Sequence, residues 1–318
     1  MFGFTRRSLV FAGLLTAAFA GPVAAEEAKL PVVASFSILG DVVARVGGER
    51  VAVTTLVGPN GDAHVWQPKP ADARLVAEAK LVVINGFGFE GWMPKLAAAA
   101  GGKAPIVVAT TGIAPRQAAE DDDHDAGKGH GHDHDKGGHD HGGLDPHAWQ
   151  SVANVVAYVA TIRDGLIAVD PGGRAVYEAN AAAYRAELEA LDAEVRAAVA
   201  TIAKEKRRVI TSHDAFGWFA DAYGVEFLAP QGISTEGEAT PKGVAKLIRQ
   251  IKAEKITAVF VENMTDKRLL DRVAKETGVT IGGELYADAL SPKGGPAPTY
   301  VDMVRHNVRL LTKAMAGV

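Results

Sequence analysis

The 318-residue chain contains no cysteine. That absence excludes disulfides, thiolate metal ligands, thiol nucleophiles and a lipid-modified cysteine behind an export signal. A basic excess is missing too: 34 Lys and Arg stand against 38 Asp and Glu, for a net charge of −4. No nucleic-acid partner is expected, because such a partner would want a basic face. Long apolar runs are also scarce. The one near the start, residues 9–20, follows Arg6 and Arg7 and leads to Pro22 and the small residues Val23-Ala24-Ala25. It is shorter than the about 20 residues needed to cross a bilayer. It has the three-part form of an export signal, with cleavage expected after Ala25. Thr5-Arg6-Arg7-Ser8-Leu9 also has the look of a twin-arginine signal. No later segment reads as long and apolar enough to span a membrane. The expected mature protein is therefore exported, soluble and unanchored, and periplasmic where the cell has two membranes.

What the chain does have is histidine, unevenly placed. Seven of the ten histidines lie between His124 and His147, six of them inside a run of Asp, His and Gly over residues 120–143. That run carries eight acids and two lysines and no large apolar side chain. It cannot bury enough surface to offset the entropy of ordering, so a mobile loop is expected there. His124, His130, His132, His134, His139 and His141 would hold further metal ions weakly, and the acids around them would concentrate cations locally. The plainer alternative is a passive solvated spacer.

Hydrophobic periodicity organises the remainder. Apolar, β-branched runs over residues 30–36, 51–57, 81–85 and 106–109 read as strands, with helices over 38–46, 70–79 and 92–100 between them. After a helix over 150–167, a stripe of Tyr184, Leu188, Leu191, Val195, Ala198 and Ile202 at alternating spacings of four and three predicts one long helix over 174–206. The grammar then repeats. Strands are expected over 208–212, 225–229, 256–261 and 280–286, and helices over 215–223, 241–254, 267–277 and 300–315. Strands alternating with helices imply parallel sheets covered on both faces. The fold class is thus α/β, with two domains, 26–172 and 207–318, joined by a rigid helix over 173–206.

In open parallel sheets, ligands sit beyond the carboxyl ends of the strands. His64, His147, His213 and Asp288 each fall in a loop at such an end, two from each domain. A metal held between the domains would use all four, since three imidazoles and one carboxylate suit tetrahedral zinc. Each residue has a bland reading as well. His64 could be a solvated loop histidine, His147 the last of the repetitive run, His213 a helix cap and Asp288 a turn former. Asp214 rivals Asp288 for the carboxylate but reads better as the cap of the helix over 215–223. Glu262, at another strand end, could orient a histidine from behind. His306, inside the closing helix, reads as an ordinary packing or surface histidine.

Four stretches in order carry a resemblance. They are His64-Val65-Trp66-Gln67-Pro68, Leu144-Asp145-Pro146-His147-Ala148-Trp149, Thr211-Ser212-His213-Asp214-Ala215-Phe216-Gly217-Trp218-Phe219 and Asp288-Ala289-Leu290-Ser291. Over nearly its whole mature length the chain resembles the cluster A-I zinc- and manganese-binding solute-binding proteins of ABC transporters. The resemblance implies two α/β domains on one long rigid helix, with the metal in the interdomain cleft. It also implies capture of Zn²⁺ as cargo, without catalysis, and delivery to a membrane permease. A periplasmic zinc chaperone is a further candidate partner, and a monomer is expected. His213 stands where manganese-binding members usually carry Glu, which favours zinc. The rival readings are an exported zinc hydrolase, a manganese-binding homologue and a metal-buffering adhesin without a transporter.

Overall fold

The computed structural model describes residues 28–118, 143–254, 256 and 258–317. The expected export signal over residues 1–25 and the six histidines expected as accessory metal sites lie outside the described residues.

The first strand, β1 (Leu30–Phe36), is apolar throughout and buried from Val32 onward, as a central parallel strand should be. Helix α1 (Ser37–Gly47) returns the chain to β2 (Val51–Val57). Then come α2 (Pro70–Glu78), β3 (Leu81–Ile84), α3 (Met93–Ala99) and β4 (Ile106–Val108). All pairings are parallel and the sheet order is β2-β1-β3-β4. Two long helices follow, α4 (Val152–Val169) and α5 (Arg174–Ala200).

The second half repeats the plan with β5 (Arg208–Ile210), α6 (Gly217–Tyr223), β6 (Glu226–Leu228) and α7 (Pro241–Glu254). It closes with β7 (Ala258–Glu262), α8 (Arg268–Thr277), β8 (Thr280–Leu285) and α9 (Tyr300–Ala316). Its order, β6-β5-β7-β8, copies the first sheet. In both sheets the chain reverses direction across the first strand, and that switch point opens a crevice at the strands' carboxyl ends.

Three expectations are corrected. Helix α5 ends at Ala200, six residues short of the sequence reading. There the Thr201 hydroxyl donates to the Ala198 carbonyl, Ile202 turns into the core, and Arg207 Nε donates to the Ile202 carbonyl. Its 27 residues reach about 40 Å. Helix α6 begins at Gly217 with Phe216 at its N-cap, so Asp214 does not cap it. And α4 is long and apolar enough by composition to cross a bilayer. It nonetheless lies within the protein, burying Val155, Tyr158, Ile162 and Leu166 against the neighbouring helices α1 and α5.

One packing detail has a measurable consequence. On α1, the Asp41 carboxylate accepts the Tyr300 N–H at the start of α9, at 2.9 Å. Burial pushes its carboxyl up to about 6, against the pull of that N–H and of Arg45. A folded-state pKa above the unfolded value means that ionisation costs stability, and the cost develops as pH rises from about 4 through 6. Asn can accept the same N–H without charge. Asp41→Asn should therefore match the parent below pH 4 and exceed it above pH 6 by on the order of 2 kcal/mol, read from denaturant midpoints across that range.

Candidate metal centre

The crevice ends of the strands deliver four side chains to one point. His64 lies in the loop after β2, and His147 opens a short helical turn that follows the segment after β4. His213 comes three residues after β5, and Asp288 three after β8. One donor atom from each lies within 4.8 Å of all the others. His64 Nε2 is 3.2 Å from His147 Nε2 and 3.2 Å from Asp288 Oδ2. His213 Nε2 also stands 3.2 Å from Asp288 Oδ2, and His147 Nε2 is 3.7 Å from Oδ1. These separations are close to the about 3.3 Å edge of a tetrahedron whose centre is about 2.0 Å from each donor.

Burial makes the cluster costly without an occupant. His147, His213 and Asp288 are fully buried, yet His213 Nε2 and both Asp288 oxygens have no hydrogen-bond partner. Unpartnered polar atoms in a protein interior cost on the order of 1–3 kcal/mol each, so three that converge on one point call for a ligand. The titrating groups show the same tension. Burial holds His64 below the usual imidazole range, with Asp288 pulling the other way. Burial also opposes a charge on His213, but Glu262 and Asp288 outweigh it and hold that imidazolium well above the usual range. Burial works against the Asp288 carboxylate, yet His213 and His147 keep it well below ordinary Asp.

Carboxylates behind two of the histidines set their tautomers. Glu262, at the end of β7, accepts from His213 Nδ1 and from the Ser212 and His213 N–H groups. It meets the His213 ring from behind, the contact expected of it. Asp145 does the same for His147, accepting its backbone N–H at 3.0 Å and Nδ1 at 2.8 Å. In each case the carboxylate favours a proton on Nδ1, so that Nε2 is the nitrogen left to face a ligand.

Asp145 is itself anchored, since its Oδ2 accepts from Arg116 Nη1 at 3.0 Å and its backbone carbonyl accepts from Trp218 Nε1 at 3.0 Å. That anchorage requires a glycine at the start of α6. A Cβ on Gly217 would stand 2.3 Å from Arg116 Nη1 and 2.7 Å from Asp145 Oδ2. Gly217→Ala should expel the guanidinium, loosen Asp145 and weaken metal affinity about 10- to 100-fold, the usual cost of disturbing such a partner. A competition titration with a fluorescent chelator reads this directly, and unchanged affinity would show that Arg116 is irrelevant to the site.

The two halves also grip each other at the cluster. Trp149 Nε1 and Gln150 Nε2 both donate to the carbonyl of Ala287, beside Asp288, at 2.8 Å each. The Tyr300 hydroxyl returns a bond to the Trp149 carbonyl at 2.7 Å. Asp62 accepts the His64 N–H through one oxygen and the Thr235 hydroxyl through the other. Behind His147 a buried network runs from Glu90 through the Asn85 N–H, and from Asn85 Nδ2 to the Pro146 carbonyl. His306 takes no part, since its Nε2 meets the Glu284 carbonyl at 3.0 Å and its ring packs on Tyr286. Sequence reasoning missed Arg116, the Ala287 carbonyl and the Glu90–Asn85 pair, which act through contacts between distant segments. Asp145 could have been found, since an acid two residues before a candidate ligand is well placed to meet its ring.

Comparison with known proteins places the fold and the family. Residues 32–314 match the family described as zinc-uptake complex component A, periplasmic. The chain is 36% identical over 279 residues to the manganese-binding lipoprotein MntA of Halalkalibacterium halodurans, covering 88% of this chain and 86% of that one. It is 31% identical over 308 residues to the iron ABC transporter substrate-binding lipoprotein MtsA of Streptococcus pyogenes, covering 95% and 94%. Among solved structures, the periplasmic zinc-binding protein TroA of Treponema pallidum superposes with a TM-score of 0.80 at 28% identity, over 91% of this chain and 99% of that one. These relatives are binding proteins, not enzymes, and the chain belongs with them to the ZnuA family of cluster A-I metal-binding solute-binding proteins of ABC transporters.

Proposed function

We propose that the protein captures zinc outside the cytoplasmic membrane and hands it to the permease of a cognate ABC transporter. His64, His147, His213 and Asp288 would serve as the four ligands. The observation that carries this reading is the donor set itself. Three imidazole nitrogens and one carboxylate whose donor atoms lie within 4.8 Å of one another, two of the rings fixed by carboxylates behind them, suit zinc better than manganese, which favours mostly oxygen. The relatives' names cite manganese, iron and zinc, so the choice of metal rests on these residues and not on kinship. Four protein ligands leave no open position for an attacking water, in keeping with binding rather than hydrolysis.

On this reading residues 26–172 and 207–318 act as two domains, with the metal between them and α5 as the strut. The protein works in the periplasm as a soluble monomer, its signal removed near Ala25. The histidines between His124 and His141 would add weak sites.

Elemental analysis with competition titration tests this on the mature protein and on a variant lacking residues 120–143. One tightly held zinc is expected in both, with additional weak sites only when the segment is present, and manganese should displace zinc only at large excess. Loss of the tight site on deleting the segment, with its survival in His64→Ala, would refute the four-ligand scheme. Preferential retention of manganese would refute the choice of metal.

A further inference from the structure

A groove of about 980 Å³ opens beside the ligand cluster, between α2, α3 and the chain that follows His64. It begins at His64, whose side chain is 5% exposed while those of His147, His213 and Asp288 are at 0%. Of the four ligands, only this one can be approached from solvent. Trp66 and Trp92 form its aromatic wall, with ring centroids 4.5 Å apart at 62°, and Leu96 lies beneath.

The charge at this mouth has the wrong sign for a naked dication. Lys69, Arg74 and Lys95 line it, all exposed, and among the described residues none makes an ion pair. Among the described residues Glu236, from the opposite half, is the single acid in the lining. Like charges around an entrance repel the incoming ion and slow its arrival, whereas opposite charges concentrate it and raise the association rate. An aqua metal ion is therefore disfavoured here, and an anion carrying the metal is favoured. The size agrees, because pockets of about 300–1,000 Å³ hold ligands of drug-like dimensions rather than single ions.

We propose that the groove receives the metal as an anionic chelate with an aromatic or apolar body. This rests on the four-ligand reading of the centre. Carboxylate arms of the carrier pair with Arg74 and Lys95, and its body lies against Trp66 and Trp92, where stacking is favourable. The metal then sits beside His64. Its bond to a carrier oxygen breaks as its bond to His64 Nε2 forms, and the other three donors complete the exchange. The carrier leaves as a free anion with its electron pairs intact.

The test compares loading rates by stopped flow from aqua zinc and from the dianionic zinc complex of pyridine-2,6-dicarboxylate in excess chelator. It uses the parent and a double variant, Arg74→Glu with Lys95→Glu. In the parent, added salt should slow loading from the complex and leave loading from aqua zinc unchanged or faster. The double variant should load from the complex at least tenfold more slowly and retain the parent's equilibrium affinity for aqua zinc. Equal rates in parent and variant would overturn the proposal, as would equal slowing with both zinc sources. Steering that emerges only after residues 120–143 are deleted would also overturn it, by giving the groove to the chain's own acidic segment. Failure of the parent to hold aqua zinc tightly would instead count against the four-ligand centre.

Discussion

The His213→Ala protein is expected to bind zinc about 10²- to 10³-fold more weakly than the parent while keeping its fold. Tight zinc sites of four ligands release on the order of 10–16 kcal/mol, so one ligand carries about 3–4 kcal/mol, and each 1.4 kcal/mol is tenfold in affinity. The fold should survive because Glu262, the group left behind, still accepts the backbone N–H groups of residues 212 and 213. A milder change at the same place should show how the ligand is prepared. Glu262→Gln turns an amide N–H toward His213 Nδ1 and drives the ring proton onto Nε2, where it faces Asp288 and blocks the metal. That variant should lose about 10- to 100-fold. His306→Ala, whose ring reaches only the Glu284 carbonyl and Tyr286, should lose nothing. Thermal shifts with and without saturating zinc give a second readout, since stabilisation scales with the logarithm of ligand concentration over Kd. Parent-like affinity in His213→Ala would remove this residue from the site.

The placement of these residues was legible in the sequence because it follows from a periodic pattern. Alternating strands and helices predict a parallel sheet, and such a sheet puts the loops holding His64, His213 and Asp288 at one end. His147 was harder to place, lying at the end of a histidine-rich run that draws attention to its neighbours; Asp145, Pro146 and Trp149 mark it out. What pattern could not reveal lies in contacts across the chain. Trp149 meets the Ala287 carbonyl 138 residues away, and Glu262 meets His213 across 49. Helix ends failed for a different reason. The apolar stripe of α5 continues past Ala200 to Ile202, but the Thr201 hydroxyl competes for the Ala198 carbonyl and a side-chain bond stops the helix. At α6 the acid falls short of the capping position, because the helix opens only at Gly217 with Phe216 at its N-cap, two residues beyond Asp214.

Zinc uptake near neutral pH should release about one proton per ion, and affinity should fall about tenfold for each unit of acidification there. The reason is the imbalance between two of the imidazoles. Glu262 and Asp288 outweigh burial at His213 and raise its pKa well above the usual 6.5, so the ring is protonated at neutrality and must give up that proton to bind. At His64 burial acts downward, so this ring is already neutral and binds without proton loss until the solution is distinctly acidic. The sign follows: a raised pKa makes protons compete for the site from neutrality downward, and a lowered one adds its share only at lower pH, where the slope steepens. Between pH 7.5 and 5.5 the loss should reach about two orders of magnitude. Calorimetry in buffers of different ionisation enthalpy counts the released protons. In Glu262→Gln, which removes the larger support for the charge on His213, the count at neutrality should drop toward zero. A proton count independent of Glu262 would mean that the competing proton resides elsewhere. Coupling of this kind would let the centre hold its metal firmly at neutral pH and yield it to acid, with no change of ligands needed to reverse the binding.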